Sequence, residues 1–132
     1  MESFVDDDYC FACGKQNPIG LGMKVEYGPD RALCRMVIPR EYQGWHSAVH
    51  GGIISTLLDE IMAHAVLHHV GNAVTARLTV RFRERVPTEE PLDVVGWIES
   101  RKKNVVDAKA EIRSVRTGTL MAEGESRFMR AS

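Results

Sequence analysis

The sequence has little of several features that mark particular classes of protein. Its 17 basic and 18 acidic residues are mixed along the chain and give a formal net charge of −1, so no surface for nucleic acid is predicted. No apolar run approaches the ~20 residues that span a bilayer, and the start, MESFVDDDYCF, has neither region of a signal peptide. Three cysteines fit a reducing compartment better than a secreted disulfide framework. We expect a cytoplasmic protein that binds neither nucleic acid nor membranes.

The length and composition indicate one domain. At 132 residues, 44% of them hydrophobic, the chain is long enough for one core and short for two. It contains no repeat, linker or low-complexity tract. We therefore predict a single domain, residues 1–132, in which residues 1–18 form an N-terminal extension with the turn Cys10-Phe11-Ala12-Cys13-Gly14.

Hydrophobic periodicity predicts one long helix between strands. Residues 21–27 and 31–38 read as a hairpin, and residues 51 to about 69 have helical spacing, with Gly71 as a stop signal. Four further strands are predicted at residues 74–82, 92–100, 105–115 and 120–129. In the first of these, the alternation puts Val74 and Phe82 on the core face and Thr75 on the opposite face. The order β-β-α-β-β-β-β predicts an α+β fold, with the helix packed on one antiparallel sheet.

The start of the predicted helix has backbone groups that could take part in a reaction. Helix N-termini present unpaired N–H groups and the positive end of the macrodipole, and glycine permits close approach of a substrate. In His50-Gly51-Gly52, the N–H of either glycine could therefore polarise a carbonyl. The alternative is that the two glycines only complete a tight turn into the helix.

Asp59 lies on the same predicted helix. It is ~12 Å along the helix and ~80° around it from Gly51, too far for both to reach one carbonyl. Two antiparallel helices across a two-fold axis would bring the groups together and create two sites. Small or apolar flanking residues would raise the pKa of Asp59 towards that of a general base. The alternative is a carboxylate hydrogen-bonded in a dimer interface.

The stretch VHGGIISTLLDE, residues 49–60, resembles the helix motif of hotdog-fold acyl-CoA thioesterases. The resemblance is to the phenylacetyl-CoA thioesterase-like branch of the 4-hydroxybenzoyl-CoA thioesterase superfamily. Further matches are Cys10-Phe11-Ala12-Cys13-Gly14, Asn17-Pro18, Gly20-Leu21, Val80-Arg81-Phe82 and Val86-Pro87. The resemblance implies a long central helix wrapped by a five- to six-stranded antiparallel sheet, and a homodimer at minimum, expected to form a homotetramer as a dimer of dimers.

The resemblance also implies roles for residues. Asp59 matches the family's general base or nucleophile, and Gly51 matches the oxyanion donor from the opposite subunit. Thr75 matches a threonine that holds the attacking water in some members, although a plain strand threonine is equally expected. Gln43 is a near match to a polar loop residue, and the serine or threonine that other branches carry one turn after the carboxylate is replaced here by Ala63. His50 orients the loop or hydrogen-bonds the thioester carbonyl.

Two weaker signals concern phosphates and metals. The resemblance implies that the CoA phosphates lie at the mouth of the interface groove, with Gly52 near the substrate. Basic side chains near strand ends could meet these phosphates, or simply be solvated: Arg81, Arg83, Arg85, Arg101, Lys102 and Lys103. Cys10 and Cys13 have the spacing of half a zinc site, and without a second pair a structural turn is favoured. His64 and His68 are four residues apart, and a hydrogen-bonded structural role is favoured for His64.

We therefore expect an acyl-CoA thioesterase that needs no metal and no cofactor, CoA being part of the substrate. Gly51 would polarise the carbonyl, and Asp59 of the other subunit would activate water or attack directly. The alternatives are a hotdog hydroxyacyl dehydratase and a non-catalytic acyl-CoA-binding hotdog domain. The acyl group is not predicted, because one methylene changes binding by only ~1–3 kcal/mol.

Overall fold

The computed structural model describes residues 5–130, so the first four residues of the predicted N-terminal extension lie outside it. Six antiparallel strands form one sheet in the order β1-β2-β4-β5-β6-β3. The elements in chain order are β1 (Glu26–Gly28), β2 (Arg31–Val37), a 3₁₀ turn (Arg40–Tyr42), α1 (Gly51–His69), β3 (Ala73–Phe82), β4 (Pro91–Lys102), β5 (Val105–Ser114) and β6 (Leu120–Arg130). The predicted α+β architecture is confirmed. Within the described residues no helix is both long and apolar enough to cross a bilayer.

The predicted helix is confirmed at both ends. His50 caps the N-terminus through its side chain. At the other end the N–H groups of Val70 and Gly71 both donate to the Val66 carbonyl oxygen, at 2.8 and 3.0 Å. Gly71 has a φ of +138°, which side chains rarely tolerate, so glycine ends the helix here.

A row of small residues lets α1 lie close to the sheet. Gly96 of β4 pairs with Ala110 of β5, which pairs with Gly124 of β6. A Cβ on Gly96 would lie 2.9 Å from the Ile61 carbonyl oxygen. The row therefore forms a groove under the middle of the helix, where Leu58 and Ile61 are fully buried.

The first predicted strand is wrong over most of its length. Only Glu26–Gly28 pairs with β2, whereas residues 21–25 run beside the N-terminal segment. There Leu21 N–H donates to the Phe11 carbonyl and Met23 N–H to the Ala12 carbonyl, both at 2.9 Å. The alternation in the sequence reflects side chains such as Met23 that are buried against the core without a long β-ladder.

The predicted faces of β3 are wrong at its beginning. The register shifts between Thr75 and Arg77, which pair with the adjacent residues Phe128 and Arg127 of β6, so Ala76 forms a β-bulge. A bulge reverses the alternation that precedes it. Thr75 consequently shares the core side with buried Phe128, and Val74 points outward with 40% of its surface exposed.

Candidate active site

The loop before α1 fixes the direction in which the helix begins. The His50 N–H donates to the Tyr42 carbonyl oxygen at 3.0 Å, and the Val49 N–H donates to the Val86 carbonyl oxygen at 2.8 Å. The Gly52 N–H donates to Nδ1 of His50 at 2.9 Å. Because Nδ1 accepts this bond, a neutral His50 carries its ring proton on Nε2.

Gly51 holds the free donor at the helix start. Its N–H has no partner within the helix, and it makes no hydrogen bond to any other of residues 5–130. The residue is exposed, with the Phe82 ring 3.7 Å from where a Cβ would lie. Of the two predicted glycine donors, only Gly51 is therefore open to a ligand, and Phe82 provides an apolar wall beside it.

Asp59 and Thr75 are brought together. The Thr75 hydroxyl donates to Oδ1 of Asp59 at 2.8 Å, although sequence parity had placed it on the opposite face. Burial raises the pKa of the half-buried Asp59 carboxyl; the Thr75 bond opposes this, and the charge of Glu60 adds to it. Among residues 5–130 the Asp59 carboxylate accepts no other hydrogen bond, so its second oxygen is free to accept a proton.

The neighbouring hydroxyl groups are engaged elsewhere. Ser55 donates to the Gly51 carbonyl oxygen and Thr56 to the Gly52 carbonyl oxygen, both at 2.9 Å. Neither is directed at Asp59. Among the described residues, the group of possible metal ligands is Cys10, Cys13 and Glu60, and Asp59 is not part of it.

The predicted phosphate-contacting side chains lie at opposite ends of the sheet. Arg81 and Arg83 are next to Phe82, near the start of α1, and Arg83 is paired with Glu123 at 2.7 Å. Arg101 and Lys102 pair with the first two residues of β5, near the end of α1. Within one chain these side chains therefore do not form one cluster.

Gln43 lies in the loop before the helix. Its side-chain oxygen accepts a hydrogen bond from the Ser47 N–H at 3.4 Å, and its backbone bridges to Val49. Gln43 therefore lies opposite Val49, the residue before His50, and its amide oxygen is engaged within the loop. Phe82 was missed as a site residue because the alternation alone assigned it to the core.

A family model described as the thioesterase superfamily matches residues 46–121, more than half of the chain. The chain belongs to the thioesterase superfamily. Among curated proteins, acyl-coenzyme A thioesterase 13 of Mus musculus is 22% identical over 102 residues, which are 76% of this chain and 73% of that protein.

Solved structures of this superfamily share the fold. One thioesterase superfamily protein is 25% identical with a TM-score of 0.84; the match covers 89% of this chain and only 61% of that longer chain. The E. coli PaaI protein from the phenylacetic acid degradation operon is 20% identical with a TM-score of 0.77, over 83% of this chain and 84% of PaaI. The hotdog fold implied by the sequence motif is confirmed.

Proposed function

We propose that this member of the thioesterase superfamily is an acyl-CoA thioesterase with an active site shared by two subunits. The observation that carries the proposal is the Thr75 hydroxyl bound to Asp59 at 2.8 Å, on a helix whose Gly51 N–H is free. The distant likeness to an acyl-coenzyme A thioesterase supports the substrate class.

In the proposed reaction the thioester carbonyl oxygen accepts a hydrogen bond from the Gly51 N–H. This bond strengthens as the oxygen becomes negative, and the positive end of the helix dipole adds to it. The Nε2 proton of His50 is a second donor on the same loop. Phe82 would pack against the acyl chain next to the carbonyl.

Asp59 and Thr75 handle the attacking water. The Thr75 hydroxyl donates its proton to Oδ1 of Asp59, so the Thr75 oxygen can accept a hydrogen bond from a water. The second Asp59 oxygen can accept the other hydrogen of the same water. Asp59 then removes a proton as the water attacks the carbonyl carbon, and it returns that proton to the sulfur as the C–S bond breaks, so that CoA leaves as a thiol. Direct attack by Asp59 would use the same free oxygen: CoA leaves as the thiolate, and water then hydrolyses the mixed anhydride to release the acid and restore Asp59.

The edge strand β3 supports the two-subunit arrangement. It is ten residues long and unpaired on one side in the described chain, with Val74 and Phe82 exposed at its two ends. Such an edge invites pairing with another strand. Antiparallel pairing of two β3 strands about Leu78 would set Phe82, beside Gly51, opposite Val74 of the second copy, next to Thr75 and Asp59.

CoA would then lie along this interface. Arg81 and Arg83, at the Gly51 end, are proposed to contact its phosphates, and Arg101 and Lys102 remain candidates through the second subunit. The three cysteines are free thiols, consistent with a cytoplasmic location. Light scattering would distinguish the expected dimer from a tetramer.

The proposal is tested by following CoA thiol release from short, long and aromatic acyl-CoAs. Asp59→Asn should lower kcat by ~100- to 10,000-fold, because the amide cannot accept a proton from water. Asp30→Asn makes the same change at an exposed turn and should leave the rate unchanged. No hydrolysis of any thioester by wild type, with acyl-CoA binding retained, would instead establish the binding-domain alternative.

A further inference from the structure

A group of side chains that the proposed reaction does not use lies where the N-terminal segment meets α1. The Cys10 thiol donates to a carboxylate oxygen of Glu60 at 3.5 Å. The ligand atoms of Cys10, Cys13 and Glu60 all lie within 4.8 Å of one another, and all three residues are partly buried. Nε2 of His64, one helical turn after Glu60, lies 3.1 Å from the same carboxylate oxygen.

Two separations that meet at the Glu60 oxygen match edges of a tetrahedral zinc site, whereas His64 lies outside the group of three whose ligand atoms are all within 4.8 Å, so its ring would move closer to the thiols on binding. With bonds of ~2.3 Å to sulfur and ~2.0 Å to oxygen and nitrogen, zinc holds sulfur and oxygen about 3.5 Å apart and nitrogen and oxygen about 3.3 Å apart. The Cys10–Glu60 and Glu60–His64 separations are 3.5 and 3.1 Å. Two thiolates, one imidazole and one carboxylate are also donors that zinc accepts.

The turn that carries the two cysteines is closed by backbone hydrogen bonds. The Gly14 N–H donates to the Cys10 carbonyl oxygen at 2.8 Å, and the Gln16 N–H donates to the Asp8 carbonyl oxygen at 2.9 Å. A Cβ on Gly14 would lie only 2.4 Å from the Cys10 nitrogen, so a glycine is needed for the chain to fold back this closely. These contacts place both thiols within 4.8 Å of a Glu60 carboxylate oxygen.

His64 is oriented by a second set of contacts. Its Nδ1 lies 2.8 Å from the Tyr27 hydroxyl, and the Tyr27 ring stacks on His68 with centroids 3.9 Å apart. Metal-binding histidines usually have the second ring nitrogen hydrogen-bonded in this way, which fixes the tautomer and directs the free lone pair at the ion. Here Nε2 faces Glu60 at 3.1 Å and would donate its proton to that carboxylate; on binding an ion it would lose this proton, with Nδ1–H donating to the Tyr27 oxygen.

We propose that Cys10, Cys13, Glu60 and His64 bind one zinc ion that fastens the N-terminal segment to α1. The sequence predicted no metal site because no second pair of cysteine or histidine ligands accompanies Cys10 and Cys13. In the fold, Glu60 and His64 would be that second pair. On binding, the two thiols release their protons and coordinate as thiolates. The ion is structural, and the proposal does not depend on the reaction at Asp59.

Metal content tests the proposal directly. Protein purified under reducing conditions, freed of metal and incubated with zinc, should hold about one zinc per chain by mass spectrometry. Cys10→Ser and Cys13→Ser should each lower the retained zinc at least tenfold, whereas Cys34→Ser, a buried thiol outside the group, should retain it. His64→Ala should weaken zinc binding, and His46→Ala, which removes an exposed imidazole from the loop before α1, serves as its control.

A stability measurement separates a structural ion from a loosely bound one. A chelator should lower the Tm of the wild-type protein and leave the Tm of Cys10→Ser unchanged. If the serine variants fail to fold, a mercurial reagent added to wild type should release one zinc as Cys10 and Cys13 are blocked. Absence of zinc from the reduced wild-type protein, or zinc retained by a soluble Cys10→Ser variant, would overturn the proposal.

Discussion

The position of a single hydroxyl group decides whether Asp59 is an isolated carboxylate or part of a hydrogen-bonded pair with Thr75. Thr75 reaches Asp59 because the bulge at Ala76 turns it to the helix side of β3. Period-two alternation cannot predict this, since one extra residue reverses the parity and nothing in the local sequence marks it. The resemblance to the family predicted a threonine at position 75, but only the fold shows that its side chain faces the helix.

Removing the Thr75 hydroxyl should impair catalysis more than folding. Thr75→Val keeps the branched shape but cannot donate to Asp59 or accept from water, so kcat for thioester hydrolysis should fall by roughly 100-fold. Thr75→Ser keeps the hydroxyl and should retain most of the rate. Steady-state kinetics on both variants, with circular dichroism to confirm the fold, make the comparison. Equal rates for the valine and serine variants would remove Thr75 from the site.

The elements that local signals define were predicted, and those that depend on distant partners were not. Helix α1 was predicted from Gly51 to about His69 because its apolar spacing, its first glycines and Gly71 are all local. The strand at residues 21–25 was wrong because pairing depends on a partner strand that the sequence window does not contain. The groove of small residues under α1 could not be predicted from the sequence for the same reason. Gly96 and Gly124 lie side by side only because β5 pairs with both of their strands.

The close approach of helix and sheet at Gly96 makes this position intolerant of a side chain. Gly96→Ala should lower the free energy of unfolding by about 1–3 kcal/mol, because its Cβ would meet the backbone carbonyl of Ile61, which cannot move without the helix. Urea unfolding at one protein concentration measures this, since association also contributes to stability. The matched control is Gly28→Ala, whose Cβ meets only the flexible side chain of Arg31. Unfolding midpoints that agree between the two variants would contradict the packing argument.

At the scale of the whole molecule, the two groups of the proposed reaction lie on one helix, too far apart to act on one carbonyl from one chain. Gly51 and Asp59 are eight residues apart, which corresponds to ~12 Å of helix rise. Gly51 is beside Phe82 near the end of β3, and Asp59 is bound to Thr75 near its beginning. A two-fold axis through the middle of β3 exchanges these ends, so each subunit would donate its N–H to one site and its carboxylate to the other.

The shared site can be tested with two variants that each remove one half. Gly51→Pro deletes the N–H at the first helical position, where proline is well tolerated, and His50 already has φ −59° and ψ 137°, which suit a residue before proline. Gly51→Ala keeps the N–H and is its control. Homodimers of Gly51→Pro should be ~100- to 1,000-fold slower than wild type because the oxyanion donor is lost.

A heterodimer of Gly51→Pro with Asp59→Asn should recover activity that neither homodimer has. One of its sites combines the intact Gly51 of one chain with the intact Asp59 of the other, and the second site lacks both, so the rate should be about half that of wild type. Co-expression with two different affinity tags and successive purification would isolate this species for the thiol-release assay. If each chain instead used its own Gly51 and Asp59, both sites would lack one group and the heterodimer would be as slow as its parents.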